Sequence, residues 1–286
     1  MINFRLDRFL TLNLFKRIIK KQTSAGDKRI PILMYHSISD EKEKSHPYYH
    51  LNTSRAVFDT HMRYLHENNY SVINLQDSEK SFDTRDSSKY VVITFDDGFY
   101  DFFTNAFPIL KKFNFSATVF LPTGFIHNER LSFKGKECMT WDEVRWLSNN
   151  GINFGSHTVT HPELISLRHE DLEYEVRQSK ETIEDKLNKP VDAFSYPFRF
   201  PDENKTFIKN LRNLLQKHGY HHGVSTRIGT TSIKDDTYFM KRIPINSGDD
   251  IPLFRAKLEG GYNWLHNPQY LYKILRRKLQ RKNEYR

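Results

Sequence analysis

Two adjacent carboxylates, Asp96 and Asp97, follow directly after the apolar stretch 92–95. Like charges this close repel each other, so one of them tends to hold a proton unless a cation lies nearby. The pair is therefore either a solvated turn or part of a site that binds something positive.

Three histidines occupy similar positions in the sequence. His36 follows the strand-like stretch 29–35, and His157 lies near the end of the strand-like stretch 152–158, with His161 four residues later. If these strand ends share one rim, the rim holds two carboxylates and three imidazoles. Two histidines and one carboxylate can hold a divalent cation and leave positions open for water and substrate. One aspartate would then be a ligand, and the other could take a proton from the water that the cation activates.

Each of these signals is weak alone. An Asp-Asp pair at a strand end is usually a turn, and His-x-x-x-His is more often a surface coincidence than a metal site. The spacing also lacks the glutamate of the zinc-protease helix motif. Their joint occurrence at successive strand ends favours the metal interpretation.

The pattern of elements supports a common rim. Apolar stretches predict strands, and amphipathic stretches between them predict helices at 54–69, 99–114, 140–151, 169–189 and 202–219. The predicted strands are 29–35, 90–95, 116–123, 152–158, 191–197, 221–226 and 238–245. Strands separated by helices indicate a parallel sheet with its chemistry at the carboxyl ends. About seven strands fit either a TIM-type barrel or an open doubly wound sheet.

Composition limits the class of protein. The chain has 286 residues, of which 37% are hydrophobic, enough for one large domain or two small ones. A single cysteine, Cys138, excludes an intramolecular disulfide and a cysteine-based zinc site. No apolar run approaches the roughly 18 residues that span a bilayer. The first 21 residues lack the features of a signal peptide, so we expect a cytoplasmic protein.

The net charge of +9 is concentrated at the two ends of the chain. Residues 1–29 carry eight Lys/Arg and two Asp, and residues 270–286 carry seven Lys/Arg and one Glu, which leaves an acidic body. Both ends mix apolar residues with cations, a pattern that suits an anionic membrane surface such as the inner face of the plasma membrane. The alternative is two solvated helices packed on the domain. We expect no nucleic-acid partner, because no recognition fold is visible and the body is acidic.

Four motifs resemble one known family. TFDDG (94–98), SHTVTHP (156–162), FSYPF (194–198) and the opening PILMYHSI (31–38) are similar to the polysaccharide deacetylase, or NodB-homology, family. The opening motif resembles the branch of biofilm poly-N-acetylglucosamine deacetylases. The resemblance implies a distorted (β/α)7 TIM-like barrel over residues 30–250, between basic extensions at 1–29 and 251–286. It also implies hydrolysis of an N-acetyl group on an amino sugar of a polysaccharide or glycan precursor.

The resemblance also implies roles for individual residues. Asp96 is the expected general base, and Asp97, His157 and His161 are the expected ligands of one divalent metal ion, usually zinc in that family. The backbone N–H of Phe198 would help to stabilise the oxyanion.

Two features depart from the family pattern. The arginine that orients the base in the family falls at Ser195 here, and the late Leu-x-His motif that supplies the general acid is not visible after 238–246. His36 is then the candidate acid, its alternative being a supporting or core histidine. Arg242 could replace the lost arginine or bind substrate. Tyr196 could line a sugar subsite or pack in the core.

Three functions remain open at this point. The leading one is a metal-dependent N-deacetylase whose substrate is a cytoplasmic glycan precursor or a chain growing at the inner leaflet. The second is a catalytically inactive glycan-binding or scaffold protein, which the missing arginine and acid favour. The third is an enzyme of the same fold that cleaves another non-peptide C–N bond. The oligomeric state is open as well.

Overall fold

Seven parallel strands close into a barrel in the computed structural model, which describes residues 5–15, 28–43, 50–82 and 88–266. The strands are β1 (Ile32–Tyr35), β2 (Lys89–Phe95), β3 (Thr118–Leu121), β4 (Asn153–Ser156), β5 (Ala193–Ser195), β6 (His222–Ile228) and β7 (Met240–Pro244). Each pairs with the next in chain order, and β1 pairs with both β2 and β7. The predicted (β/α)7 barrel is therefore confirmed, and the open doubly wound sheet is wrong.

Helices occupy most connections between the barrel strands. The first helix among the described residues is α1 (Leu6–Leu10), and α2 (Arg55–Glu67) separates β1 from β2. The later helices are α3 (Phe107–Lys112), α4 (Trp141–Asn149), α5 (His169–Leu187), α6 (Lys205–Lys217) and α7 (Ile251–Leu258). Parallel neighbours need such crossovers, because a tight turn cannot join the end of one strand to the start of the next.

Two helix starts follow from side chains that satisfy free backbone N–H groups. The Ser54 hydroxyl accepts a hydrogen bond from the Val57 backbone N–H and begins α2. Thr140 and Glu143 form a reciprocal capping box at the start of α4. The helices predicted at 54–69 and 140–151 are confirmed.

The strand predicted at 29–35 is interrupted at Pro31. Proline has no backbone N–H and cannot complete a sheet ladder. The pair Arg29–Ile30 instead runs antiparallel to Thr231–Ser232, outside the barrel. Only Ile32–Tyr35 joins the barrel, and it delivers His36 to the carboxyl end of β1.

The inside of the barrel is filled in layers. One apolar cluster takes a residue from each of six strands: Ile32, Val92, Phe120, Ala193, Val224 and Met240. Alternate residues of a strand face the same side, so the next inward positions on β2, β5 and β7 are Thr94, Ser195 and Arg242. All three are buried. A polar layer therefore lies above the apolar one, towards the carboxyl ends of the strands.

The amino-terminal segment packs against the end of the barrel domain. Asp7 accepts hydrogen bonds from Arg5 and from the Tyr262 hydroxyl at 2.6 Å. Arg5 also contacts the buried Asp249, which accepts a second hydrogen bond from Lys257 at 2.8 Å. Residues 5–15 are thus joined to the segment that follows β7. The division of the chain at residues 29 and 250 stays a prediction, and most of the two basic stretches lies outside the described residues.

Within the part of the chain that the structure describes, no helix combines the length and the apolar character needed to cross a membrane.

A buried histidine predicts how stability depends on pH. The Nε2 of His61 donates to the Asp249 carbonyl oxygen at 2.7 Å, its Nδ1 accepts from the Tyr35 hydroxyl, and its ring stacks on Phe254. Burial lowers the pKa of His61 from 6.5 to about 4. Between these two values the unfolded chain binds a proton that the native protein does not, so this histidine makes the native state less stable as the pH falls.

We expect His61→Gln to destabilise the protein at about pH 7, where it removes packing and hydrogen bonds, and to cost clearly less at about pH 5. One titrating group changes stability by at most about 1.4 kcal/mol per pH unit. Urea unfolding of both proteins at the two pH values measures the difference. An equal cost at both values would show that His61 does not titrate as described.

Candidate active site

The turn after β2 separates the two adjacent carboxylates. Asp97 and Gly98 both have left-handed backbone conformations, with φ of 71° and 62°. A Cβ at Gly98 would lie 2.9 Å from the Cδ2 atom of Leu121, so a side chain there would be crowded as well as strained. This turn lets Asp96 and Asp97, both buried, face different partners. A non-glycine residue in this conformation is often found at functional sites.

Asp96 is held by an arginine from inside the barrel. Arg242 donates to Oδ1 of Asp96 at 2.8 Å and to Oδ2 at 2.7 Å, and both side chains are buried. The Ser195 hydroxyl also donates to Asp96 at 3.2 Å. Burial alone would raise the pKa of Asp96, but the positive charge of Arg242 outweighs it and holds that pKa well below its usual range. Asp96 is therefore ionised and fixed in orientation.

Arg242 lies beside position 195, where this chain has a serine and the family pattern has an arginine. Its NH2 group lies 3.0 Å from the hydroxyl of Ser195, where the family pattern has its arginine. The guanidinium also donates hydrogen bonds to the Ser225 carbonyl oxygen and the Thr94 hydroxyl. Because Arg242 is 1% exposed, its guanidinium faces Asp96 and not the open rim. The small side chain of Ser195 leaves room for an arginine that arrives from β7.

Asp97, His157 and His161 form a buried cluster whose ligand atoms all lie within 4.8 Å of one another. The Nε2 atoms of His157 and His161 lie 3.7 Å and 3.4 Å from Oδ1 of Asp97. The Nδ1 of His157 donates to the carbonyl oxygen of Ser195 at 2.8 Å, which turns its Nε2 towards the cluster. Burial lowers the pKa of His157 to about 4 and that of His161 to about 3, so both imidazoles are neutral at ordinary pH. One carboxylate and two neutral imidazoles could hold a metal ion.

A glutamate that sequence analysis missed shapes the loop between the two histidines. The carboxylate of Glu175, on α5, accepts the backbone N–H groups of Val159 and Thr160 at 2.7 Å and 2.9 Å. It also accepts the Thr160 hydroxyl at 2.6 Å, and the loop returns to His161 in a left-handed conformation. Its position in the helix could have indicated a buried carboxylate, because Glu175 lies on the same face of α5 as the buried residues Leu172, Val176 and Ser179.

A second unexpected residue at the site is Lys134, whose ammonium group lies 3.1 Å from Oδ2 of Asp97. It comes from a hairpin between β3 and α4 rather than from a strand end, so the strand-end pattern gave no signal for it.

The other predicted residues lie in different environments. His36 is partly buried at the same rim; burial lowers its pKa, and the charges of Asp97 and Asp96 act in the opposite direction. Phe198 is half exposed, has φ of 57°, and its ring centroid lies 4.6 Å from that of His161. Tyr196 is fully buried and packs against Phe200, which supports its core role and not a sugar subsite.

Comparison with known proteins agrees with this geometry. A family model described as polysaccharide deacetylase matches residues 83–235, more than half of the chain. The chain belongs to the polysaccharide deacetylase family. This deacetylase is 30% identical over 234 residues to YxkH of Bacillus subtilis (strain 168), a protein named as a polysaccharide deacetylase. The match covers 81% of this chain and 76% of YxkH.

Two further relatives agree with the family assignment. The deacetylase is 26% identical over 162 residues to the poly-beta-1,6-N-acetyl-D-glucosamine N-deacetylase of Staphylococcus aureus, and spans about half of that protein. The Streptococcus pyogenes deacetylase PplD, solved in complex with acetate, superposes with a TM-score of 0.70 at 25% identity. That superposition covers 81% of this chain and 99% of PplD. The polysaccharide deacetylase predicted from the four motifs is confirmed.

The contact between Arg242 and Asp96 predicts a rescue experiment. Arg242→Ser should lower turnover by about 100-fold or more, because Asp96 loses the guanidinium that orients it. Adding Ser195→Arg should recover part of that loss by returning the arginine to the family's position. Turnover of the single and double variants, with circular dichroism as a folding control, measures this. No recovery in a folded double variant would mean that the carboxylate needs the β7 arginine for another reason.

Proposed function

We propose that this deacetylase removes the N-acetyl group from an amino sugar of a polysaccharide or glycan precursor, using one divalent metal ion. The observation that carries the proposal is the division of the two adjacent carboxylates. Asp96 faces Arg242, and Asp97 faces two neutral imidazoles. Metal-dependent amide hydrolysis uses an ionised general base beside a metal ion, and this site provides such a base next to three candidate metal ligands.

The cluster fits a metal ion such as zinc by its chemistry. Asp97, His157 and His161 supply one oxygen and two nitrogens, the donor set that zinc accepts in hydrolases. When bound, the ion would polarise the amide carbonyl and lower the pKa of the attacking water. The hydrogen bond from His157 to the Ser195 carbonyl already points the Nε2 of that histidine towards the cluster.

Asp96 is the proposed general base. It is ionised, and the bidentate contact with Arg242 holds both of its oxygens in place. The same ion pair makes it a weak base, because it stabilises the charged form of the carboxylate. Asp96 can therefore take a proton only from a water that is itself made acidic. The base and the cation must act together in this proposal.

Two further groups of the chain complete the proposed reaction. The backbone N–H of Phe198 would donate to the oxyanion that forms when water attacks the acetyl carbon. The leaving nitrogen must gain a proton when the C–N bond breaks. His36 is the candidate to relay the proton that Asp96 took, since a neutral imidazole can accept a proton on one nitrogen and donate from the other.

The inactive-scaffold alternative loses one of its two supports. That alternative rested on the missing arginine at position 195 and on the missing general acid. Arg242 makes the bidentate contact with Asp96, so the carboxylate does not lack a cation.

The name of the Staphylococcus aureus relative supports an N-acetylglucosamine polymer or precursor as the substrate class, and the acetate in the PplD structure is what N-deacetylation releases.

The two aspartates should respond differently to the same substitution. Asp97→Asn should lose bound metal, and Asp96→Asn should keep it and lose turnover by about 10²–10⁴-fold, the usual cost of removing a general base. Metal content and acetate release from N-acetylglucosamine oligomers, with added zinc or cobalt, measure both effects. Equal loss of metal in the two variants would contradict the division of roles. No acetate from any N-acetylated glycan would contradict the reaction class.

We also propose that the deacetylase is cytoplasmic and binds the anionic inner face of the plasma membrane. In the amino-terminal segment, Leu6, Phe9 and Leu14 are 48% to 57% exposed. This segment contacts the region after α7, where the Trp264 indole N–H donates to the Thr11 hydroxyl at 3.1 Å. The basic residues of 16–29 follow Thr11 in the sequence, and those of 270–286 follow Trp264. Cations and apolar side chains from both ends would then act on one surface, which would bring the enzyme to a lipid-linked glycan.

The packing of residues 5–15 determines how this should be tested. Arg5 and Arg8 are paired with Asp249 and Asp250, so deleting the segment would disturb the fold. Charge neutralisation beyond residue 15 is the cleaner change. We expect the combined substitutions Lys16→Gln, Arg17→Gln, Lys20→Gln and Lys21→Gln to reduce co-sedimentation with anionic vesicles strongly. Each basic residue near such a surface contributes about 1 kcal/mol of binding free energy.

The matched control removes the same number of positive charges, four, from the body of the protein, at the exposed residues Lys42, Lys111, Lys209 and Lys234. It should sediment like the wild type, and added salt should weaken binding for every variant that binds. Equal loss in both variants would indicate a general charge effect, and binding to neutral vesicles would contradict the electrostatic account.

A further inference from the structure

A lysine from outside the barrel contacts the atoms that would hold the metal ion. The Nζ of Lys134 lies 3.2 Å from Oδ1 and 3.1 Å from Oδ2 of Asp97, and 3.4 Å from Nε2 of His161. Two of the three proposed ligands, Asp97 and His161, therefore face an ammonium group. A divalent cation bound to the same atoms would repel that group at close range.

A short hairpin delivers the lysine. Ser132–Phe133 pairs with Lys136–Glu137, and the two turn residues, Lys134 and Gly135, both have left-handed backbone conformations. This two-residue turn is the type that matches the twist of a hairpin. The Cys138 backbone N–H donates to the Leu131 carbonyl oxygen at 2.8 Å and closes the base of the hairpin.

The surroundings of Lys134 attract its ammonium group but leave the side chain partly in water. Its ammonium lies 4.7 Å from the ring centroid of Phe133 and 5.7 Å from that of Phe198, so two aromatic faces flank it. The side chain is 34% exposed, while that of Asp97 is fully buried. The lysine can therefore move its charge into water without any change in the barrel, but Asp97 cannot.

We propose that Lys134 is an internal cation that competes with the metal ion for Asp97 and His161. The ion pair neutralises the buried carboxylate whenever a metal ion does not, and it must break before the ion can bind. The hairpin therefore lowers the metal affinity below the value that the three ligands alone would give. In exchange, it stabilises the protein before metal is acquired. This inference rests on the proposed metal site.

The test uses Lys134→Met, which keeps the length of the side chain and removes the charge. We expect about tenfold tighter zinc binding, measured by competition with a chromophoric chelator, which is about 1.4 kcal/mol. In the presence of chelator the melting temperature of this variant should fall below that of the wild type, because Asp97 loses its cation. Added zinc should then raise that temperature by more than it does for the wild type.

Lys136→Met is the matched control. Lys136 lies on the same hairpin but pairs with the exposed Glu41 at 2.6 Å, away from the cluster. The zinc affinity of the Lys136→Met variant should therefore equal that of the wild type. Unchanged or weaker zinc binding by Lys134→Met would overturn the competition. A rise in KM for the glycan with unchanged zinc affinity would also overturn it, by making the lysine a substrate contact. If neither the wild type nor the variants bind zinc, the metal site itself fails, and the inference fails with it.

Discussion

The active site depends on the burial of two adjacent carboxylates. Neither Asp96 nor Asp97 is exposed enough for water to solvate its charge, and two neighbouring carboxylates destabilise each other. Both stay charged only if each has a cation of its own. The chain supplies one permanently, through the bidentate contact between Arg242 and Asp96. The other aspartate faces neutral imidazoles and a lysine that can move away, which is what an exchangeable cation requires.

The barrel provides this arrangement because side chains alternate along each strand. The apolar layer at Met240 is followed two residues later on the same strand by Arg242, which points into the barrel beneath Asp96. The left-handed turn at Asp97 and Gly98 then directs the second carboxylate towards the loop that carries the histidines. Glu175 holds that loop from outside the barrel through the backbone of Val159 and Thr160. The site is therefore supported both from the interior and from a helix on the outer layer.

The sequence could predict the residues that follow strand ends, but not those that packing brings to the site. Asp97, His157 and His161 follow strand ends, and the carboxyl ends of parallel strands meet at one rim, so their meeting could be predicted. Arg242 could be proposed because it is a charged residue within an apolar strand, but its partner depended on the register of the barrel. Glu175 and Lys134 come from a helix face and a hairpin turn, whose distance from the rim is set by packing. The break at Pro31 could have been expected, since proline cannot complete the ladder, but the first strand was predicted unbroken over 29–35.

The central claim is that the two aspartates have different cations. Anomalous diffraction at the zinc edge, from crystals grown with zinc, tests it most directly. The account predicts one strong peak at about 2.0–2.2 Å from an oxygen of Asp97 and from one nitrogen each of His157 and His161. Asp96 should remain bound to Arg242 and outside the first coordination shell. A peak that bridges both aspartates, or a zinc ion bound elsewhere with this cluster unchanged, would contradict the account.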